Sequence, residues 1–447
     1  MESPTPSASA PEARVTSGEV FRLWWPLATS WLLMGAETPV LAAVVARMPD
    51  AEVNLAAYGS LVMPVALLIE APIIMLLAAS TALASSYATY KKLWRFMMVS
   101  GAALTVLHVL AAFTPLYDVI ARDLVGVPEP VHEPGRIGLQ LMTPWTWAIA
   151  HRRFNQGVLI RFRYARTVGV GTIVRLGGNF SALALGATLT SWSGIVVAAV
   201  AVSTGVVAEA VFAAWCVKPV VDRHLRHAPP ETGAAPLDQR SFLKFYIPLA
   251  LTPLMSLMIQ PIGAAAMSRM PLPLLSLAAW PPAHGVLFLL RTAGLSFNEV
   301  VVTLVGRPGG AALLRRFAVR MAAVTSGIIA LIAFTPLSGW WFRHLSGLPP
   351  ELVDLCTNAL LIGMLMPAYS VMQNLFQGTL VHARRTRGVT EAVALYLVLC
   401  TTLLAAGAAW SPLPGLYYAL ASFTIAGLSQ TAWLWWRSHR LTSDLQP

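Results

Sequence analysis

His284, Arg291 and Asn298 recur at seven-residue spacing inside a stretch that is otherwise apolar. Seven residues make close to two helical turns, so a helix there carries all three on one face across roughly 20 Å of rise. A guanidinium flanked by an imidazole and a carboxamide can draw an anion along a wet path. The same groups can also serve only to hydrogen-bond neighbouring helices together. Glu37 and Glu70 offer the opposite charge. Each stands two residues before a proline, Pro39 and Pro72, and Gln260 directly precedes Pro261. A proline inside a helix supplies no N–H, so the carbonyl one turn earlier is left free for an ion, a water or a side chain. A carboxylate beside such a break suits reversible binding of H+ or Na+. A neutral carboxyl donating to the freed carbonyl is the structural alternative.

The elements that must position these groups are membrane helices. The 447 residues are 56% hydrophobic and 11% charged, far from the roughly one-quarter charged of a soluble domain. Apolar stretches near the length of a bilayer crossing predict twelve helices, at 22–46, 55–84, 94–119, 137–159, 167–189, 193–217, 242–268, 275–305, 311–342, 351–381, 388–409 and 413–436. No alternating strand pattern points to a barrel. The net charge of +11 is a topological signal, because Lys and Arg cluster in five alternate loops, within 91–95, 152–166, 218–244, 307–320 and 384–387. That bias predicts both termini in the cytoplasm of a multi-pass plasma or inner membrane protein, with no nucleic-acid partner. The basic turn at 151–166 is expected to meet anionic lipid. Arg175 and Glu209, nearer a helix end, read as a snorkelling or interhelical pair, and Arg387 with Glu391 as an interfacial pair. Cys216, Cys356 and Cys400 lie in separate spans and imply neither disulfide nor metal site.

The chain also repeats itself. "PLATSWLLMGAETPVLAAVVARMP" from Pro26 and "PLALTPLMSLMIQPIGAAAMSRMP" from Pro248 share a P-L-A start, a central proline and R-M-P at the end. "FTPL" recurs at Phe113 and Phe334, and "QGVLIRFRYARTV" from Gln156 matches "QGTLVHARRTRGV" from Gln377 at nearly the same offset. The expected organisation is a tail (1–21), an N-terminal six-helix lobe (22–220), a linker (221–241), a C-terminal six-helix lobe (242–437) and a second tail (438–447). Six helices per repeat make the halves parallel, about an axis along the membrane normal, which suits alternating access to a midplane site. The repeat sets Glu70 level with Thr292, beside Arg291, so a carboxylate of one lobe is expected to face the guanidinium of the other.

With "WWPLA" at Trp24, "AAYGSL" at Ala56, "WPPAH" at Trp280 and "RRFNQG" at Arg152, the sequence resembles the ANK (progressive ankylosis) family, a branch of the multidrug/oligosaccharidyl-lipid/polysaccharide (MOP) exporter superfamily. The resemblance implies a V-shaped, two-lobed exporter in which helices one, two, seven and eight border a central cavity. It further implies efflux of polyvalent anions such as pyrophosphate, nucleotides or citrate. Within "WPPAH" it carries His284 over as a substrate contact, with Arg291, Asn298 and Gln260 beside it and Glu37 or Glu70 coupling H+ or Na+. A MATE-type cation or drug antiporter and a lipid-linked precursor flippase are the alternatives. No cofactor, metal or catalytic group is expected. Partners are a small, anionic substrate and membrane lipid, and the expected state is a monomer.

Overall fold

The computed structural model describes residues 14–226 and 238–443, and among them the backbone is helical almost throughout, without a strand. Twelve long helices follow one another: α1 (Ser17–Val45), α2 (Ala51–Leu83), α3 (Tyr87–Phe113), α4 (129–161), α5 (Ala165–Leu189), α6 (Gly194–Arg226), α7 (Gln239–Met267), α8 (Pro273–Leu304), α9 (Gly310–Phe334), α10 (Pro350–His382), α11 (Arg387–Trp410) and α12 (Gly415–Ser443). All but α4 and α12, ten of the twelve, are long and apolar enough to cross a bilayer. α4 falls short because it carries Arg152, Asn155 and Gln156, which are buried in protein rather than turned to lipid. The chain is an all-α, multi-pass membrane protein. Helices satisfy their own backbone groups, the condition a lipid environment imposes.

α1–α6 and α7–α12 form two pseudo-symmetric lobes, and the repeat extends to the backbone. Six of the seven positive-φ residues among those described fall in corresponding pairs, Asp50 (54°) with Leu272 (55°), Gly126 (73°) with Gly347 (69°), and Arg163 (66°) with Arg384 (58°), while Gly309 (72°) is unmatched. Wide π-turns close α3's and α9's loops in the same way, at Val119–Val125 and Trp341–Leu345. Of these three pairs only the second is glycine in both halves, so backbone geometry repeats where side chains have diverged.

The prolines act unequally. α1 is interrupted at Ala36, one turn before Pro39, and resumes at Glu37; α2 is interrupted at Met75, just after Pro72. α7 runs without interruption past Pro248, Pro253 and Pro261, so the break expected at Pro261 does not occur. Proline's fixed φ is itself helical and only one donor is lost, which a helix can absorb without opening. Helix ends also extend past the expected borders. α1 starts at Ser17, capped by the Thr16 hydroxyl accepting from the Glu19 N–H, and Val20 is fully buried, so 17–21 belong to the lobe rather than to a tail. α12 likewise continues to Ser443 with Ser438 buried. The tail at 1–13, the linker at 227–237 and the end at 444–447 lie outside the described residues.

The lobes meet where α1 and α2 pack on α8, and α2 on α7. Glycine lets proline rings approach at this seam: a Cβ on Gly59 would lie 2.6 Å from Pro281 Cγ, and one on Gly285 would lie 3.2 Å from the Pro39 ring. The first halves of α1 and α7 cross over to the opposite lobe. Trp24 donates Nε1–H to the Ala293 carbonyl at 3.0 Å and packs edge-on to Phe317 at 5.8 Å. Tyr246 donates to the Pro72 carbonyl at 2.7 Å and packs on Phe96 at 4.9 Å. These four partners correspond through the repeat, so each lobe holds the arm of the other.

Candidate functional site

Inside the N-terminal lobe, charges of alternating sign form a chain. Glu37, the first residue of α1 after its interruption, accepts from the Asn179 amide at 2.5 Å and pairs with Arg175 at 3.0 Å, both on α5. Arg175 reaches Glu209 of α6 at 3.7 Å, and Glu209 also pairs with Arg152 at 2.5 Å and accepts from Gln156 at 2.9 Å, both on α4. The local folding explains the alignment. Arg152 and Gln156, and Arg175 and Asn179, are i,i+4 pairs on one face of their helices. Glu37 gains as well from the positive end of the half-helix it opens. Glu70 stands apart on α2 and accepts a hydrogen bond from the Trp145 indole of α4, close enough to Arg152 and Arg153 to feel their charge. An unpaired ion here would cost several kcal/mol, roughly 3–5 on removal of one partner.

The C-terminal lobe holds a different site. A cavity of about 360 Å³ lies among α7, α8, α10, α11 and α12, lined by Gln260, Trp280, His284, Phe288, Arg291, Tyr369, Gln373, Tyr396, Phe423 and Gln430, among others. On α8, Trp280, His284 and Phe288 stack in a ladder, with ring centroids 4.6 and 5.9 Å apart. One turn on, the Arg291 guanidinium stands over the Tyr369 ring at 5.8 Å, and its buried Nε has no protein partner among the described residues. None of the lining residues is acidic.

This arrangement corrects several expectations. Glu70 does not face Arg291; the two belong to separate sites in separate lobes, because each is claimed by aromatic side chains of its own bundle. Asn298 lies beyond an interruption of α8 at Ser296 and donates to the Asn374 carbonyl at 3.4 Å, so the polar stripe ends before it and the residue joins helices. His284, Arg291 and Gln260 do share one cavity, but inside the C-terminal lobe rather than across the seam. Pro39 packs on Gly285 at the lobe interface. Arg152 is no loop cation but a buried ion-pair partner, and Arg161 donates to the Thr81 and Ala82 carbonyls at 2.9 Å, while Arg163 and Arg166 of the basic turn are exposed. Arg175 and Glu209 sit at the centre of the network. The i,i+4 pairs Arg152/Gln156 and Arg175/Asn179 were the available sequence signal. The cavity's tyrosines and glutamines come from four helices, and spacing along the chain could not group them.

On the face opposite the termini, two arginines of the repeated R-M-P clasp the other lobe. Arg47 donates to the His344 and Leu345 carbonyls at 2.9 and 2.7 Å. Arg269 donates to those of Asp123, Leu124 and Val125 at 3.0, 3.1 and 2.9 Å. The acceptors are carbonyls at the ends of the two π-turns, which lack helical donors. Gly126 and Gly347 serve twice. They adopt the left-handed turn, and they leave room for the guanidinium, since a Cβ on Gly347 would lie 2.9 Å from Arg47.

No family model matches the sequence, and no curated protein matches it. The fold is shared nonetheless. An inward-facing multidrug resistance MATE family transporter of the MOP superfamily aligns with a TM-score of 0.77 at 13% identity, covering 95% of this chain and 98% of that one. The lipid II flippase MurJ, in an inward closed conformation, aligns at 0.68 and 14% identity over 93% and 87%. A MOP superfamily transporter from Pyrococcus furiosus, described by the reversed polarity of its binding pocket, aligns at 0.65 and 14% over 97% and 99%. The chain has the fold of MOP-superfamily transporters. These relatives are transporters and a flippase, not enzymes; the resemblance to the ANK branch rests on the short motifs alone.

Proposed function

We propose that the protein is a secondary transporter that carries a small anion by alternating access, with the substrate bound in the C-terminal-lobe cavity and a proton bound in the N-terminal lobe. One observation carries the reading: the cavity places a single guanidinium, Arg291, among hydrogen-bonding and aromatic side chains with no acidic residue in its lining. A cation would gain no counter-charge there. The polyvalent anions implied by the ANK resemblance, and citrate-like acids, fall within this reading.

Coupling is assigned to Glu37. Both of its oxygens already receive donors, from Asn179 and Arg175, which argues against sodium, since sodium needs several free oxygen ligands; a proton needs only one of these donors to give way. Protonating Glu37 weakens its hold on Arg175 and leaves that guanidinium to Glu209, a change of partner inside the bundle. Such a switch biases the two transporter states only through different proton affinity in each.

Counterflow in proteoliposomes tests the proposal, comparing pyrophosphate, ATP, citrate and the carboxylate monoanions acetate and benzoate with a cationic dye under imposed proton and sodium gradients. Anion flux that Arg291→Ala abolishes, in a protein that still elutes as a folded species, is the expected result. Wild-type anion flux in Arg291→Ala removes Arg291 from the site. The second reading, a MATE-type cation antiporter, is favoured by the MATE transporters that share the fold and by the N-terminal carboxylates; it requires dye flux that Glu37→Gln eliminates and Arg291→Ala spares.

A further inference from the structure

From the make-up of the C-terminal-lobe cavity we infer that its ligand is an aromatic monoanion: a planar ring system bearing one carboxylate or equivalent acid group. The inference rests on the reading of the protein as an anion carrier and narrows its substrate class.

Charge comes first. Among the described residues, Arg291 is the one guanidinium in the lining, with no lysine and no acidic residue beside it. It therefore matches a single negative charge. A pyrophosphate or tricarboxylate would bring further charges into a site with no cation to meet them, and an unmet charge away from water is strongly unfavourable. The Arg291 guanidinium already lies over the Tyr369 ring, and its Nε is buried without a protein partner among the described residues. A carboxylate is the acceptor whose geometry fits a guanidinium's paired donors.

Shape comes second. Trp280, His284 and Phe288 present three rings at helical spacing, with interplanar angles of 24° and 23° along the ladder. Phe423 of α12 closes on Trp280 at 5.4 Å, and Tyr369 and Tyr396 come from α10 and α11. A flat aromatic ligand gains from such walls beyond the area it buries. The carboxamides of Gln260, Gln373 and Gln430 supply hydrogen-bonding groups without charge, and Gln373 is itself steadied by donating to the Gly427 carbonyl at 2.9 Å and to Gln430 Oε1 at 3.2 Å. About 360 Å³ lies in the range of small-molecule sites, ~300–1,000 Å³.

The test is equilibrium binding to the purified full chain in detergent, with four probes: 2-naphthoate, cyclohexanecarboxylate, pyrophosphate and 2-naphthylmethylammonium. The expected order is saturable binding of 2-naphthoate, weaker binding of cyclohexanecarboxylate, and little of the other two. Arg291→Ala should weaken 2-naphthoate by about tenfold or more, as expected for loss of a charged hydrogen-bonded pair, with Arg291→Lys recovering part of it. Tyr396→Leu and Trp280→Leu should weaken 2-naphthoate more than cyclohexanecarboxylate. Thermal unfolding of each variant separates lost binding from lost folding. Arg291-dependent binding of pyrophosphate in preference to 2-naphthoate overturns the aromatic class and leaves the anion reading standing. Preferred binding of the ammonium probe, insensitive to Arg291→Ala, overturns both. Equal affinity for 2-naphthoate and cyclohexanecarboxylate, or no saturable 2-naphthoate binding by a folded wild type, overturns the inference.

Discussion

At the scale of single residues, the N-terminal lobe tolerates charged side chains in its interior by joining Glu37, Arg175, Glu209 and Arg152 in one network. Glu209 is the hub, since Arg152, Arg175 and Gln156 all converge on it. Glu209→Ala should destabilise the folded protein by about 3–5 kcal/mol, because it strands the buried Arg152 guanidinium and leaves Arg175 with Glu37 alone. Glu209→Gln should cost less by keeping an acceptor for Arg152. Thermal and denaturant unfolding of the two variants checks the order, and equal stability would show that the network contributes little. Glu37 is a different case, with its carboxylate placed at the opening of a half-helix and in contact with only part of the chain of charges. Glu37→Gln preserves volume and one of the two acceptors while removing the acidic group. The variant should fold, and its flux should lose the wild-type dependence on an imposed pH gradient; flux that follows pH as before would assign coupling elsewhere, with Glu70 the next residue to replace.

At the scale of helices, α1 and α7 are straps that begin on one lobe and end in the other. Trp24 and Tyr246 anchor their first halves across the seam, through partners that correspond by the repeat. The interruption at Ala36 lies between the anchored half of α1 and the half that carries Glu37. It is therefore where relative lobe motion would be absorbed, hinges being few residues at element ends. Close approach along the seam depends on glycine opposite proline. Gly59→Val forces a side chain into the Pro281 ring, for which the room is absent at 2.6 Å. Transport should fall severely, while the C-terminal cavity keeps its ligand affinity because neither Gly59 nor Pro281 is among its lining residues. Loss of both together would mean that the variant misfolds instead of separating the lobes.

At the scale of the whole molecule, the face opposite the termini is held shut by Arg47 and Arg269, each donating to carbonyls of the other lobe. Opening that face requires both guanidiniums to release. A charge-assisted hydrogen bond is worth ~1.5–3 kcal/mol, so removing one clasp should shift the population by about tenfold. Arg47→Ala combined with Arg269→Ala should lengthen the distance between spin labels placed through Glu129→Cys and Glu351→Cys in a background lacking Cys216, Cys356 and Cys400. Each single variant should give an intermediate distribution. An unchanged distribution in the double variant would show that glycine–proline packing, not the clasps, keeps this face closed.

The sequence by itself determined the solvent and the architecture. Apolar length, charge bias and an internal repeat are properties of a linear chain, and they dictate membrane helices in two lobes because lipid permits few other solutions. It also marked Glu37, Glu70, His284, Arg291 and Gln260 as polar groups needing a purpose. Only the tertiary structure decided which of them meet. Glu70 and Arg291 align by repeat yet face separate bundles, since helix rotation is set by packing that spacing does not encode. Arg152 reads as a loop cation until α6 brings Glu209 to it. Gln373, Tyr396 and Gln430 become neighbours only because α10, α11 and α12 close around α8, and proximity of that kind is a property of three dimensions.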